Sequence, residues 1–445
     1  MSTILIINGK LINEGISEEQ DIFIRDGRIE QIGKNLNSKN AARIIDAAGL
    51  IIIPGMIDDQ VHFREPGFEH KGEIRTESAA AVAGGVTSYM EMPNTKITTT
   101  TKDTLADKKK RASEKSLANY SFYFGATNTN LDAIKQLDSE EACGIKIFMG
   151  ASTGDMLVDD PKILEGIFAN APMILATHCE DTPSIKKKED EYKKKYGDSA
   201  TAKIHPLVRD GDSCYLSSSL AISLAKKHGT NLHILHLTTA KEMDLFVSGQ
   251  INDKKITAEI CVHHLLFDER DYAKHGNFIK CNPSIKSALD RQALLLGLKN
   301  DLLDIIATDH APHTLEEKQQ PYWQAPSGLP LVQHAVNAAL ELYFDGVISL
   351  AKVVEKTSHN VAKRFQIVDR GFLREGYWAD LALIDLNNKT IVESQHLYSK
   401  CGWSPFKDKV FRSRIEGTIV SGYLAWYQGK LYTEVKGKPL EFKRK

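Results

Sequence analysis

The chain has 445 residues, 42% of them hydrophobic and 26% charged, a globular composition long enough for one large domain and a smaller one. Lys plus Arg (57) nearly balance Asp plus Glu (58), so no global field draws in nucleic acid or an anionic membrane, and a small-molecule partner is expected. The opening residues lack a basic and apolar leader, and no run of about 18 apolar residues follows, which predicts a cytoplasmic protein.

The six cysteines, Cys143, Cys179, Cys214, Cys261, Cys281 and Cys401, contain no C-x-x-C pair, which argues against a zinc ribbon or a disulfide framework. Up to about Leu50 the chain carries short β-rich runs, Ile4 to Ile7, Asp21 to Ile24 and Ile29 to Ile32, with Asn8-Gly9 and Asp26-Gly27 as turn signals. These predict a small antiparallel sheet. The same texture returns after about Gly371, at 380–385, 413–420 and 423–427, so both chain ends are expected in one β domain.

Between them a β-rich run followed by a helix-permissive segment recurs about eight times. The runs are Ile57 to His62, Thr87 to Met92, Tyr120 to Phe124, Gly144 to Phe148, Met173 to Thr177, Asn231 to Leu235, Ile256 to Ile260 and Asp304 to Ala307. This order predicts a TIM-like (β/α)8 barrel. Segments 73–82, 212–227 and 291–299 have amphipathic helical composition. The charge run 185–195 mixes signs at helical spacing and reads as a solvated helix.

A parallel barrel carries its chemistry at the C-terminal strand ends. On the first strand Gln60, His62 and Arg64 share a face. The second runs into Glu91 and Asn94, and the fourth holds Lys146 within an apolar run. The fifth ends at His178 and Glu180, the sixth carries His233 and His236, and the seventh holds Glu259 ahead of His263 and His264. The eighth ends in Thr308-Asp309-His310-Ala311-Pro312-His313. Imidazole, carboxylate and lysine at so many strand ends predict a metal-dependent active site. His62, His178 and His236 offer neutral nitrogens to a metal such as Zn²⁺, and Asp309 offers an oxygen. A lysine in a dry pocket loses proton affinity, and its neutral amine can add CO2 as a carbamate able to bridge two metals. Such a site opens or closes amides, with a carboxylate moving the proton.

The chain closely resembles the amidohydrolase superfamily, and within it the class I dihydroorotases. The resemblance rests on Pro54-Gly-Met-Ile-Asp58, His62-Phe-Arg-Glu-Pro-Gly67, Met92-Pro-Asn-Thr95, His236-Leu-Thr-Thr239, Thr257-Ala-Glu-Ile260, Lys280-Cys-Asn-Pro283 and Thr308 to His313. It implies a β-sandwich built from residues 1–53 and 371–445 around a catalytic barrel at 54–370. It also implies the reversible cyclisation of N-carbamoyl-L-aspartate to L-dihydroorotate in pyrimidine biosynthesis. By position, His62, His178, His236 and Asp309 would bind zinc, and Lys146 would be the carbamylated bridge. Asp309 would also be the acid/base. Arg64, Asn94 and His313 would hold the substrate carboxylate, and Asn282 would contact the ring. A homodimer is the implied assembly, and the small-residue loop Gly150 to Asp155 the implied lid.

The chain departs from the resemblance at Gln60, where a His-x-His strand would carry its first imidazole, and at Ser284 and Lys286 in place of Pro and Arg. A neutral amide oxygen is a poor zinc ligand, so one firm zinc and a weak or empty second position are expected. Two alternatives stand beside the main reading. One is a hydantoinase- or allantoinase-like cyclic amidase with no need of Arg64. The other is an inactive scaffold subunit, for instance for aspartate carbamoyltransferase.

Overall fold

The computed structural model describes residues 3–36, 40–150, 156–434 and 436–444, so residues 151–155 of the expected lid lie outside the described residues. Both chain ends enter one nine-stranded sheet. Thr3–Asn13 pairs antiparallel with Ile16–Arg25 and parallel with Ile51–Pro54, which in turn pairs antiparallel with Leu381–Asp385. Arg414–Val420 and Tyr423–Tyr427 extend the sheet on that side.

Two expectations for this sheet are corrected. It is mixed, because Thr3–Asn13 lies parallel to both Arg43–Asp46 and Ile51–Pro54. Asn8-Gly9 is not a turn: the strand continues through it with a register shift between Ile6 and Gly9, and Asn8 has φ 62°. The physical reason is packing, since a Cβ on Gly9 would lie 2.3 Å from Ile52 Cδ1. The chain reverses instead at Glu14-Gly15, where both residues have positive φ. Asp26-Gly27 does join antiparallel neighbours, Ile16–Arg25 and Arg28–Gly33.

The middle of the chain forms two all-parallel sheets. Met56–Val61, Val86–Glu91 and Asn119–Phe122 make the first. Phe124–Gly125, Ile145–Phe148, Leu175–His178, Leu232–Ile234, Ile256–Cys261 and Ile305–Ala307 make the second. Nearly every residue of these strands is buried, as strands covered on both faces require. The expected strand Tyr120 to Phe124 is divided between the two sheets. Tyr123 N–H donates to Glu91 O at 3.0 Å on one side, and Phe124 N–H donates to Gly144 O at 3.0 Å on the other. The opposite seam is a bridge between Val61 and His310, with His62 N–H donating to His310 O at 2.7 Å.

Helices follow the strands, and their limits track local chemistry. Gly211–His228 starts where Asp210 caps the Ser213 N–H and ends at Gly229, φ 69°. Ala288–Lys299 begins three residues before the expected Arg291, because Ser287 and Asp290 form a capping box ahead of the apolar positions. The charge run lies in Thr182–Tyr196, whose one buried residue is Ile185, the solvated helix its mixed signs predict. Among the described residues no helix is long and apolar enough to cross a membrane.

Candidate metal and anion site

Gln60, His62, Arg64, Asn94, Lys146, His178, His236, Asn282 and Asp309 border one cavity of about 90 Å³ at the C-terminal ends of the parallel strands. His313 stands outside it, with Nε2 3.0 Å from Arg64 Nη2. The strands aim these groups only by leaving regular geometry: Arg64 (φ 74°), His236 (φ 38°) and Asp309 (φ 51°) are all left-handed. Each such non-glycine conformation costs roughly 1–3 kcal/mol, which the surrounding hydrogen bonds must offset. For Asp309 the bonds are visible: Thr308 Oγ1 donates to Asp58 Oδ2 at 2.6 Å and accepts from the His310 N–H at 2.9 Å.

His178 and His236 face each other with Nδ1 and Nε2 2.9 Å apart. His178 Nε2 donates to Glu180 Oε2 at 2.8 Å, so its Nδ1 presents a lone pair to the cavity. His236 Nδ1 and Lys146 Nζ are buried without a hydrogen-bond partner among the described residues. His62 has two neighbours that both call for a donor, Asn94 Oδ1 at 2.8 Å from Nδ1 and Asp309 Oδ1 at 3.0 Å from Nε2. A neutral imidazole carries one N–H, and burial lowers the proton affinity of His62. Burial likewise lowers His178 and, further, His236, and brings Lys146 down to about 7. Two imidazoles in contact with one ring nitrogen left unpartnered, a third imidazole between two acceptors and a buried amine without a partner form a donor set that a bound divalent cation would satisfy, so the residues fit one.

Gln60 meets Asp309 through its amide nitrogen, Nε2 to Oδ1, at 3.1 Å.

The other wall is cationic. Arg64 Nε donates to Pro312 O at 2.9 Å, which fixes the guanidinium plane. Burial lowers Arg64 to about 10, still charged at neutral pH, and no carboxylate lies within ion-pair distance of it among the described residues. His313, pushed well down by burial and then by Arg64, is neutral. Its Nδ1 lies 3.1 Å from Lys71 Nζ and its Nε2 lies 3.0 Å from both Ser327 O and Arg64 Nη2, so the tautomer decides whether Nε2 donates to the carbonyl or accepts from the guanidinium. Asn282 Oδ1 lies 3.2 Å from His205 Nε2.

Several supporting residues carried no assigned role in the sequence. Glu180 lies two positions after His178, the spacing that puts two strand residues on one face. Burial alone would raise its carboxyl, but Arg209 at 2.6 Å and His178 hold it down at about 2, a fixed anion that orients the His178 ring. His233 sits beneath the cavity between Asp59 (3.3 Å) and Glu259 (3.2 Å). Burial pulls this imidazole down, but the carboxylates outweigh it and raise it to about 9, while burial and then Asp59 push the Glu259 carboxyl well up, so the cluster shares its protons. Glu259 Oε1 also accepts the His236 N–H at 3.2 Å, which ties the cluster to the cavity floor. No sequence signal joins Asp59 to His233, because they meet across the interior from distant strands. Glu91 is a structural partner, its carboxylate 3.3 Å from the buried Lys108 ammonium. Lys318, fully buried, donates to the Lys280, Pro326 and Gly328 carbonyls and pins the loop carrying Ser327 and Gly328 to the cavity rim.

The Amidohydrolase family profile matches residues 51–425. A dihydroorotase of Methanosarcina mazei is 31% identical over 460 aligned residues, covering 100% of this chain and 99% of that one. A dihydroorotase of Bacillus cytotoxicus is 31% identical across 95% of this chain and 98% of that one. Among solved structures, an L-hydantoinase (dihydropyrimidinase) from Arthrobacter aurescens superposes with TM-score 0.92 at 26% identity over 99% of this chain and 100% of that one. A dihydropyrimidinase from Brevibacillus agri, at 20% identity, TM-score 0.90 and full coverage of both chains, shares the fold. A profile over most of the chain and relatives matched nearly end to end lead to one conclusion: the chain belongs to the amidohydrolase family.

Proposed function

We propose that the chain is a zinc-dependent dihydroorotase that interconverts N-carbamoyl-L-aspartate and L-dihydroorotate. The observation carrying this reading is Arg64, a half-buried guanidinium without a carboxylate partner among the described residues, on the rim of the cavity that holds the metal-capable donors. Dihydroorotate brings a ring amide and a carboxylate to one site, and that carboxylate supplies the missing anion. The full-length likeness to dihydroorotases supports the same substrate.

A zinc ion held by His178, His236, Asp309, His62 and the Lys146 carbamate would supply Lewis acidity to polarise the amide carbonyl and acidify water. Lys146, an amine lowered to about 7 by burial, forms its carbamate by adding CO2 with loss of a proton. Glu180 holds the His178 ring so that Nδ1 faces the cavity. Asp309 takes the proton of the attacking water and returns it to the ring nitrogen as the C–N bond breaks; the reverse order closes the ring. Arg64, with Asn94 and His313, grips the carboxylate, and Asn282 contacts the ring.

For the architecture, we propose that the two parallel sheets close into one eight-stranded barrel at residues 54–370. The hydrogen bonds at the Phe122–Phe124 and His62–His310 seams support closure. Residues 1–53 and 371–445 would then form the accompanying β-sandwich domain.

The hydantoinase likeness favours a second reading, a cyclic amidase acting on hydantoins. Hydantoins lacking a carboxylate would leave the half-buried Arg64 guanidinium without an anion to answer its charge. Turnover of dihydroorotate and a series of 5-substituted hydantoins by the zinc-loaded protein decides between them. The account expects dihydroorotate to have by far the larger kcat/KM, and preference for an uncharged hydantoin would overturn it.

A further inference from the structure

We infer that Gln60 is a positioning residue for Asp309 and not a metal ligand, and that the Cys261 thiol supports the orientation its amide takes against Asp309. The inference rests on the acid/base role proposed for Asp309 above.

Gln60 is 1% exposed and its side chain has two partners: Nε2 donates to Asp309 Oδ1 at 3.1 Å, and Oε1 lies 3.8 Å from Cys261 Sγ, nearer than that thiol's other acceptor, Glu259 Oε1 at 4.0 Å. Oxygen and nitrogen of an amide are assigned from such partners. Here the reversed amide would set a carbonyl oxygen against a carboxylate oxygen at the same short distance, with no hydrogen between them. The retained orientation turns the one ligand-capable atom, Oε1, towards Cys261. The atom facing Asp309 is an amide nitrogen, which has no lone pair to give a metal.

The consequence reaches the reacting carboxylate. Asp309 has φ 51°, so its side-chain direction depends on what holds it. Gln60 and His62 both meet Oδ1, and among the described residues no hydrogen bond engages Oδ2. Oδ1 is therefore the anchored oxygen, and Oδ2 has no protein hydrogen bond to release before it takes a metal contact or a proton. An imidazole at position 60 would instead point a ring nitrogen into the cavity, so the glutamine exchanges a ligand for a donor.

The test compares Gln60→Leu, Gln60→His, Cys261→Val and the double variant Gln60→Leu/Cys261→Val. Metal per chain and thermal melting are measured on each sample, and kinetics on dihydroorotate or on whichever hydantoin the wild type accepts. Gln60→Leu should keep its metal and lose on the order of ten- to a hundredfold in kcat, the effect of deleting one hydrogen bond to a charged group. Its KM should stay within about twofold, since substrate contacts remain. Cys261→Val should lower kcat by less and add nothing to Gln60→Leu, because both act through one amide. Gln60→His should bind more metal per chain than the wild type. Metal lost from Gln60→Leu in step with kcat would make Gln60 a ligand, and full kcat in Gln60→Leu would remove it from the mechanism; either overturns the inference. Additive losses in the double variant would overturn the part played by Cys261. If the wild type turns over neither substrate class, the proposed function falls, while the metal contents of Gln60→Leu and Gln60→His still decide whether position 60 is a ligand.

Discussion

Replacing Arg64 by Met keeps most of the side-chain volume and removes the guanidinium. Arg64 Nε is committed to Pro312 O and Nη2 also meets His313 Nε2, which leaves Nη1 and the second Nη2 hydrogen for a substrate carboxylate. Two charge-assisted hydrogen bonds at roughly 1.5–3 kcal/mol each set an upper range of about 3–6 kcal/mol. Asn94 and His313 remain in place and retain part of the grip, so the lower end applies. A loss of about 3 kcal/mol corresponds to roughly a hundredfold in kcat/KM. Because the carboxylate is remote from the breaking C–N bond, most of the loss should fall on KM. The assay is the steady-state hydrolysis of dihydroorotate by wild type and Arg64→Met, with metal content and melting temperature measured on the same preparations. Unchanged KM in a folded, metal-loaded variant would refute the carboxylate assignment.

Three further outcomes follow from the same geometry. Lys146→Ala removes the orphaned amine and should abolish metal binding and activity together; an inactive variant with full metal content would contradict its role in holding the metal. Glu180→Gln weakens the anchor of the His178 ring and should lower metal affinity on the order of ten- to a hundredfold, measured by competition with a chelator; unaltered affinity would show that the ring is held by other means. His233 has a raised proton affinity, about 9 in the fold. Its contribution is fully present below the unfolded value near 6.5 and is lost as the pH climbs through about 9. Denaturant unfolding from pH 6 to 10 should therefore show a steeper alkaline decline in wild type than in His233→Asn, and parallel curves would refute that reading.

Much of this arrangement was legible because the strand ends carry their chemistry in short local patterns. Alternation placed Gln60, His62 and Arg64 on one face, and all three border the cavity or its rim. The strands themselves appeared as β-branched runs, within a few residues of their observed limits. What escaped were relations that depend on distant parts of the chain. Asn8-Gly9 has the composition of a hairpin turn, yet the close approach of Ile52 makes it a bulge inside a strand. Asp59 and His233 carry no shared pattern, and only the interior brings them to 3.3 Å. The amide direction of Gln60 depends on Asp309 and Cys261, which lie 249 and 201 positions away from it. Local periodicity reports which face a side chain takes, and packing alone decides what it meets there.

The most direct test of the whole account is hydrolysis of L-dihydroorotate by the purified protein, with zinc counted on the same sample and Asp309→Ala as the control. The account predicts turnover in the wild type, accompanied by bound zinc, and none in Asp309→Ala. Zinc-loaded wild-type protein without turnover in the presence of bicarbonate, or an Asp309→Ala variant as active as the wild type, would contradict it.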